Sequence, residues 1–187
     1  MKISLGAKPL AFPMPTFLVA CYDLKGQANA MTVAWGGVVC GQPPCLGVAI
    51  NHVRYTYEGI VKNKAFTVNI PKTSQSTEAD YLGMYSGKDR DKLARAKFTA
   101  IKSQLVNAPY IDDCPVVIEC ELAHEIDLGS HGLFVGTILD VKANENTLTD
   151  GNIDITKVDP LIFSASREYY QIGSFVGKAF SVGKSLK

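Results

Sequence analysis

The chain has 187 residues, 47% apolar and 20% charged, and nineteen Lys and Arg against eighteen Asp and Glu leave a formal net charge of +1. That length suits one domain able to bury a core without disulfide or metal staples, and the composition excludes wholesale disorder. The charge balance argues against a nucleic-acid groove, which needs clustered uncompensated cations, and no run reaches the roughly 18 apolar residues of a membrane span.

Lys2 and Lys8 precede an apolar stretch in which Leu18-Val19-Ala20-Cys21 superficially resembles a lipoprotein cleavage box. Pro13 and Pro15 would break a helical signal core. The stretch therefore reads as a proline-rich arm leading into a strand from Thr16 to Tyr22. The turn Asp23-Leu24-Lys25-Gly26 then predicts a hairpin to a second strand, Ala28–Trp35. Asn29 and Thr32 are polar in that apolar strand, and Gly36-Gly37 behind it permits close backbone approach. They either face a ligand or simply cap the hairpin and meet water.

Gly41-Gln42-Pro43-Pro44 is a breaker, and Cys45–Asn51 a third strand. The segment Asn51-His52-Val53-Arg54-Tyr55-Thr56 leads from that strand into a short helix, Thr56–Asn63. Such a junction offers an anion free backbone N–H groups and the positive end of the helix dipole. Arg54 adds a bidentate fork, and Thr56 can cap the helix and donate to an oxygen. The plain alternative is a capped helix with one solvated arginine.

Further on, Ala65–Ile70 alternates with Phe66, Val68 and Ile70 on one face. Helices follow over Ser76–Tyr85 and Asp89–Ala96. Val116–Ile126 has a period of two that puts Ile118, Cys120, Leu122, His124 and Ile126 on one face and Glu119, Glu121 and Glu125 on a solvated one. Gly129-Ser130 turns the chain into His131–Val141, where His131, Leu133, Val135, Leu139 and Val141 share a face. A histidine there is either structural or pocket-lining. Pro160–Ala165 reads as a final strand. The sum suggests a small antiparallel barrel with short inserted helices.

Five cysteines, an odd number without a CxxC pair, imply buried hydrophobes in a reducing cytosol and no disulfide framework. Cys114, Cys120 and His124 lack the spacing of a metal site, so no metal is expected. Patterns for an activated serine, a zinc protease or a phosphate-binding loop are missing.

Taken in order, Asn29-Ala30-Met31-Thr32-Val33-Ala34-Trp35, Pro43-Pro44, Asn51-x-x-Arg54-x-Thr56, Phe66-x-Val68-Asn69-Ile70 and His131-Gly132-Leu133-Phe134-Val135-Gly136 resemble the flavin reductase-like family. Tyr81-x-Gly83-x-x-Ser86-Gly87 and the tail Tyr169-Tyr170-x-Ile172-Gly173 are similar to its flavoredoxin branch. The resemblance implies a mainly β, single-domain fold over residues 1–187: an antiparallel Greek-key split β-barrel that binds FMN. It implies a homodimer with one FMN per subunit near the interface, and with the cysteine, charge and hydropathy readings the expected setting is the cytoplasm, clear of membrane and nucleic acid.

By the same resemblance, Asn29, Ala30, Met31 and Thr32 lie beside the flavin ring, and Asn51, Arg54 and Thr56 hold the phosphate. The family often has Ser at the position of Asn51, whose amide can still donate. Lys88 and Lys92 after the Ser86-Gly87 turn could reach the phosphate, and Tyr169 could cover the ring. The expected function is electron transfer from NAD(P)H or a protein donor through FMN to flavin, ferric iron or another acceptor. The alternative is a non-catalytic FMN-binding sensor or storage barrel. The flavin carries such chemistry, so no side chain is needed as an indispensable acid or base, and His131 is the one candidate.

Overall fold

A computed structural model describes residues 1–186. The alternating segments pair into one seven-stranded antiparallel sheet: β1 (Phe17–Tyr22), β2 (Ala28–Val33), β3 (Gly36–Gly41), β4 (Pro44–Asn51), β5 (Ala65–Ile70), β6 (Val116–Asp127) and β7 (His131–Ala143). Their order across the sheet is β2-β1-β5-β6-β7-β4-β3. Strands β2 and β3 are its edges, joined through Ala34 and Trp35. The ladder does not close on itself among the described residues. Four short helices are inserted: α1 (Tyr55–Asn63), α2 (Ser76–Met84), α3 (Lys92–Arg95) and α4 (Ile155–Val158). None is long and apolar enough to cross a membrane.

The two-residue period of β1 and β2 builds two apolar layers. Leu18, Ala20 and Ala30 pack under Ala79 and Leu82 of α2, with Leu93, Phe98 and Ile111. Their alternates Val19, Cys21 and Val33 join Leu46, Val48, Ile50, Phe66 and Phe134, together with Ile60 of α1. Phe66 and Phe134 are completely buried, and each contributes about 1.5–3 kcal/mol of apolar burial.

Five expectations need correction. The glycine-rich stretch after Trp35 is itself a strand, β3, because glycines let it press against β4. A Cβ on Gly36 would lie 2.9 Å from the Gly47 carbonyl oxygen.

The even face of β6 is not continuous. Val135 stands opposite His124 but Gly136 opposite Leu122, so Ala123 is a bulge and the side chains beyond it change faces. Ile118, Cys120 and Leu122 pack on the core, while His124 and Ile126 are exposed. Glu125 swings towards α1, where it accepts the Tyr57 hydroxyl proton at 2.6 Å.

On β7 the core face is Gly132, Phe134 and Gly136, not the face of His131, Leu133 and Val135. A Cβ on Gly136 would meet Cys120 at 2.7 Å and Phe66 at 2.8 Å.

Glu119 is fully buried, not solvated. Its cross-strand neighbour Thr67 donates to the Pro109 carbonyl at 2.7 Å, so the strand Pro109–Ile111 roofs that face. The ammonium of Lys142 pairs with Glu119, and with Asp140 at 2.7 Å.

At the termini, the predicted last strand shrinks to Ile162–Phe163, which pairs with Met14–Pro15 of the arm and with Tyr169–Tyr170.

Candidate functional site

Strand β4 ends at Asn51, whose carbonyl accepts the Arg54 N–H at 3.0 Å and whose side chain accepts the Val53 N–H at 3.1 Å. That turn aims the chain into α1. The N-cap is Arg54 and not Thr56, and it brings no side-chain oxygen to the first turn. Donors are thereby left at the positive end of the helix.

Thr56 sits inside the first turn and is buried. Its hydroxyl oxygen accepts the Asn29 amide N–H at 2.8 Å, so its own proton is free for another acceptor. The loop at Gly87 closes over this pair: a Cβ there would lie 2.1 Å from Asn29 Oδ1 and 3.1 Å from the Tyr55 ring.

Lys92 opens α3, is only 4% exposed, and donates from Nζ to the Leu82 carbonyl at 2.9 Å. Burial, reinforced by the positive charge of Arg54, lowers its pKa to about 8. Neither Lys92 nor Arg54 has a carboxylate partner among the described residues. Asp23 borders the same groove but is already committed. Burial raises its pKa, yet the N–H groups of Gln27 and Lys25 at 2.8 Å and the Tyr55 hydroxyl at 2.8 Å outweigh that and hold it below the ordinary value.

Two depressions flank the start of α1. One, of about 200 Å³, is lined by Met31, Thr32, Trp35, Asn51, Arg54 and His131. The other, of about 580 Å³, is lined by Asn29, Gly87, Lys88, Arg90 and Lys92 among others. The Asn29–Thr56 bond and the electrostatic coupling of Arg54 with Lys92 connect them. In the smaller one the His131 ring lies 4.8 Å from that of Trp35, and its Nδ1 is 2.8 Å from Ser130 Oγ.

Three predicted site residues have other contacts. The Ala30 side chain is buried in the layer under α2, so only its backbone is available to a ligand. The Thr32 hydroxyl is spent on the Ala79 carbonyl. Tyr169 lines neither depression; its hydroxyl reaches Asp80 at 3.1 Å and its ring packs 5.6 Å from Phe163. Trp35, by contrast, reads from the sequence as core, yet it is 42% exposed and walls the smaller cleft.

A model of the flavin reductase like domain matches residues 10–173. The solved flavoredoxin of Desulfovibrio vulgaris (Miyazaki F) is 46% identical, with a TM-score of 0.93 over 98% of this chain and 100% of its own. The flavoredoxin of Methanosarcina acetivorans is 34% identical, with a TM-score of 0.91 over 100% of this chain and 98% of its own. An uncharacterized protein of Archaeoglobus fulgidus is 33% identical over 144 residues, 77% of this chain and 80% of its own. With that match on top of the shared motifs, the chain belongs to the flavin reductase-like family.

Proposed function

We propose that the chain binds FMN, with its phosphate at the start of α1 and its ring in the cleft walled by Met31, Trp35 and His131, and that it is an electron-transferring flavoprotein. The observation that carries this is the buried Lys92, whose charge Arg54 disfavours, with neither cation in an ion pair among the described residues. A buried ammonium is costly unless a counter-charge joins it, and a phosphate dianion would supply one. Thr56, with a hydroxyl proton to give, and the first-turn N–H groups complete a donor set suited to phosphate oxygens. Gly87 lets its loop pack directly on Asn29 and Tyr55 beside the start of α1, which a side chain there would prevent.

When bound, FMN supplies the hydride- and electron-accepting chemistry. The protein's part is to hold and orient the ring and to exclude competing water. Asn29 anchors β2 to α1, so that strand and phosphate site keep a fixed spacing. Trp35 and His131 form an aromatic wall whose tilt is set by Ser130. His131 positions; it is not required to move a proton. The electron donor is NAD(P)H or a protein, and the acceptor a flavin, ferric iron or another oxidant. The proposed setting is the cytoplasm.

A second copy of the chain would complete the assembly. Phe175, Val176 and Phe180 are 80%, 96% and 99% exposed. Apolar side chains that find so little cover within their own chain suit an isologous dimer. The test is anaerobic addition of NADH or NADPH to the FMN-loaded protein, followed by visible absorbance. The flavin band should bleach with one of them or with a reduced protein donor, and recover with an acceptor. A bound flavin that no donor reduces would leave a binding module and remove the electron-transfer reading.

A further inference from the structure

Strands β3 and β4 form a hairpin across Gln42-Pro43, and its last two pairs are Gly41 with Pro44 and Cys40 with Cys45. Directly opposed residues on antiparallel strands have Cα atoms about 4.5–5.5 Å apart and side chains on one face. That spacing falls inside the range of about 4.4–6.8 Å that a disulfide requires. We infer that Cys40 and Cys45 are a second redox couple of this chain, closing a reversible disulfide across the hairpin.

The two thiols are unequally placed, as the chemistry needs. Cys40 is exposed, on an edge strand. Cys45 is 7% exposed, and its thiol donates to the Pro43 carbonyl at 3.4 Å. The first can meet an oxidant from solvent, and the second waits beside it to resolve the product. The other three cysteines are buried. Burial pushes the Cys21 and Cys120 thiols up to about 12, and raises Cys114 as well. They stay protonated and shielded, which leaves the hairpin pair to react.

The oxidant is a small disulfide from solution. The Cys40 thiolate attacks one of its sulfurs, the small disulfide's bond breaks, and one small thiol leaves. The Cys45 thiolate then attacks the Cys40 sulfur of the mixed disulfide and releases the second small thiol. Two electrons pass from the cysteine pair to the small disulfide, and the two protons lost by the cysteines end on the released thiols. The flavin is not the partner. Cys45 lies four residues along β4 from Ala49, the nearest residue of that strand lining the small cleft, or about 13 Å at strand rise. The inference therefore stands whether or not FMN binds.

The test uses the full chain, reduced, freed of reductant and exposed to excess oxidised glutathione. Free thiols are then blocked, the protein is denatured, and thiols and linkages are read by mass spectrometry without reduction. Two of the five cysteines should be lost as thiols, and one peptide should join Cys40 to Cys45. Dithiothreitol should restore all thiols, and Cys45→Ser should hold one glutathione on Cys40. Retention of all five thiols would overturn the inference. So would a wild-type chain that keeps glutathione on Cys40, or a Cys40 bond between two copies.

Discussion

Asn29 Nδ2 donates to Thr56 Oγ1 at 2.8 Å, joining an edge strand of the sheet to the first turn of α1. Both residues are buried, so the bond is shielded from water and fixes the distance between the β2 wall and the helix start. Losing it through Asn29→Ala should lower stability by about 1 kcal/mol, the usual net worth of one hydrogen bond. Gly87→Ala should disturb the same pair from the other side, because its Cβ would overlap Asn29 Oδ1. That variant should lose FMN affinity about tenfold, roughly 1.4 kcal/mol. Asn29→Ala should weaken FMN as well, and in a double-mutant cycle by flavin-fluorescence titration the two affinity losses should not add, since both act through Asn29.

Lys92 gives the site a pH signature. Its pKa is lowered to about 8 by burial and by Arg54, and a bound phosphate would favour the charged form. FMN affinity should hold steady from about pH 7, where the phosphate is a dianion, to about 8 and weaken as pH rises above it, by up to about tenfold per pH unit while one proton is taken up on binding. Lys92→Met should flatten the profile, and riboflavin should show no such slope. The ligand-free chain should move the other way. Between about 8 and the ordinary lysine value of 10.5 the unfolded chain holds a proton that the folded chain lacks, so folding stability rises with pH there. Denaturant titrations across that window check the sign.

His131 touches Trp35 at the cleft wall and is anchored by Ser130. Its replacement by Asn should slow flavin reduction by a factor on the order of ten, or about 1.4 kcal/mol. Stopped-flow reduction of bound FMN reads this directly. Near-total loss with flavin still bound would make His131 catalytic, and an unchanged rate would leave it structural.

Lys142 compensates the fully buried Glu119. Lys142→Met would strand that carboxylate and should cost about 3 kcal/mol, seen as a lower midpoint in urea. Glu119→Gln in the same background should recover part of the loss, because the amide carries no charge to bury.

Much of the architecture was legible from period-two patterns alone. Ala65–Ile70 and the first half of β6 fold where alternation places them, and the strands expected at Thr16–Tyr22 and Ala28–Trp35 form as Phe17–Tyr22 and Ala28–Val33. The rest failed for physical reasons. A bulge at Ala123 leaves no compositional mark, because Ile126 continues the apolar alternation after its face has changed. Glu119 looks like any surface acid until Thr67 and Pro109 bring a second strand over it. At the candidate site, the sequence placed Arg54 and Thr56 at a helix start, where the structure has them, but not which of the two is the N-cap. Lys92 was hard to rank, since its burial depends on Leu82 and Arg54, ten and thirty-eight positions away. Trp35 looked like core until the edge of the sheet left it half open.

The central claim is that Arg54 and Lys92 hold the phosphate of FMN. It is tested most directly by titrating the flavin-free protein with FMN and with riboflavin, alongside Arg54→Ala. The wild-type chain should take one FMN per subunit and bind it more tightly than riboflavin. Arg54→Ala should weaken FMN by about 1.5–3 kcal/mol, the scale of a hydrogen bond to a charged group, and leave riboflavin nearly unchanged. Equal affinity of the wild-type chain for both flavins, or equal losses in the variant, would contradict the claim.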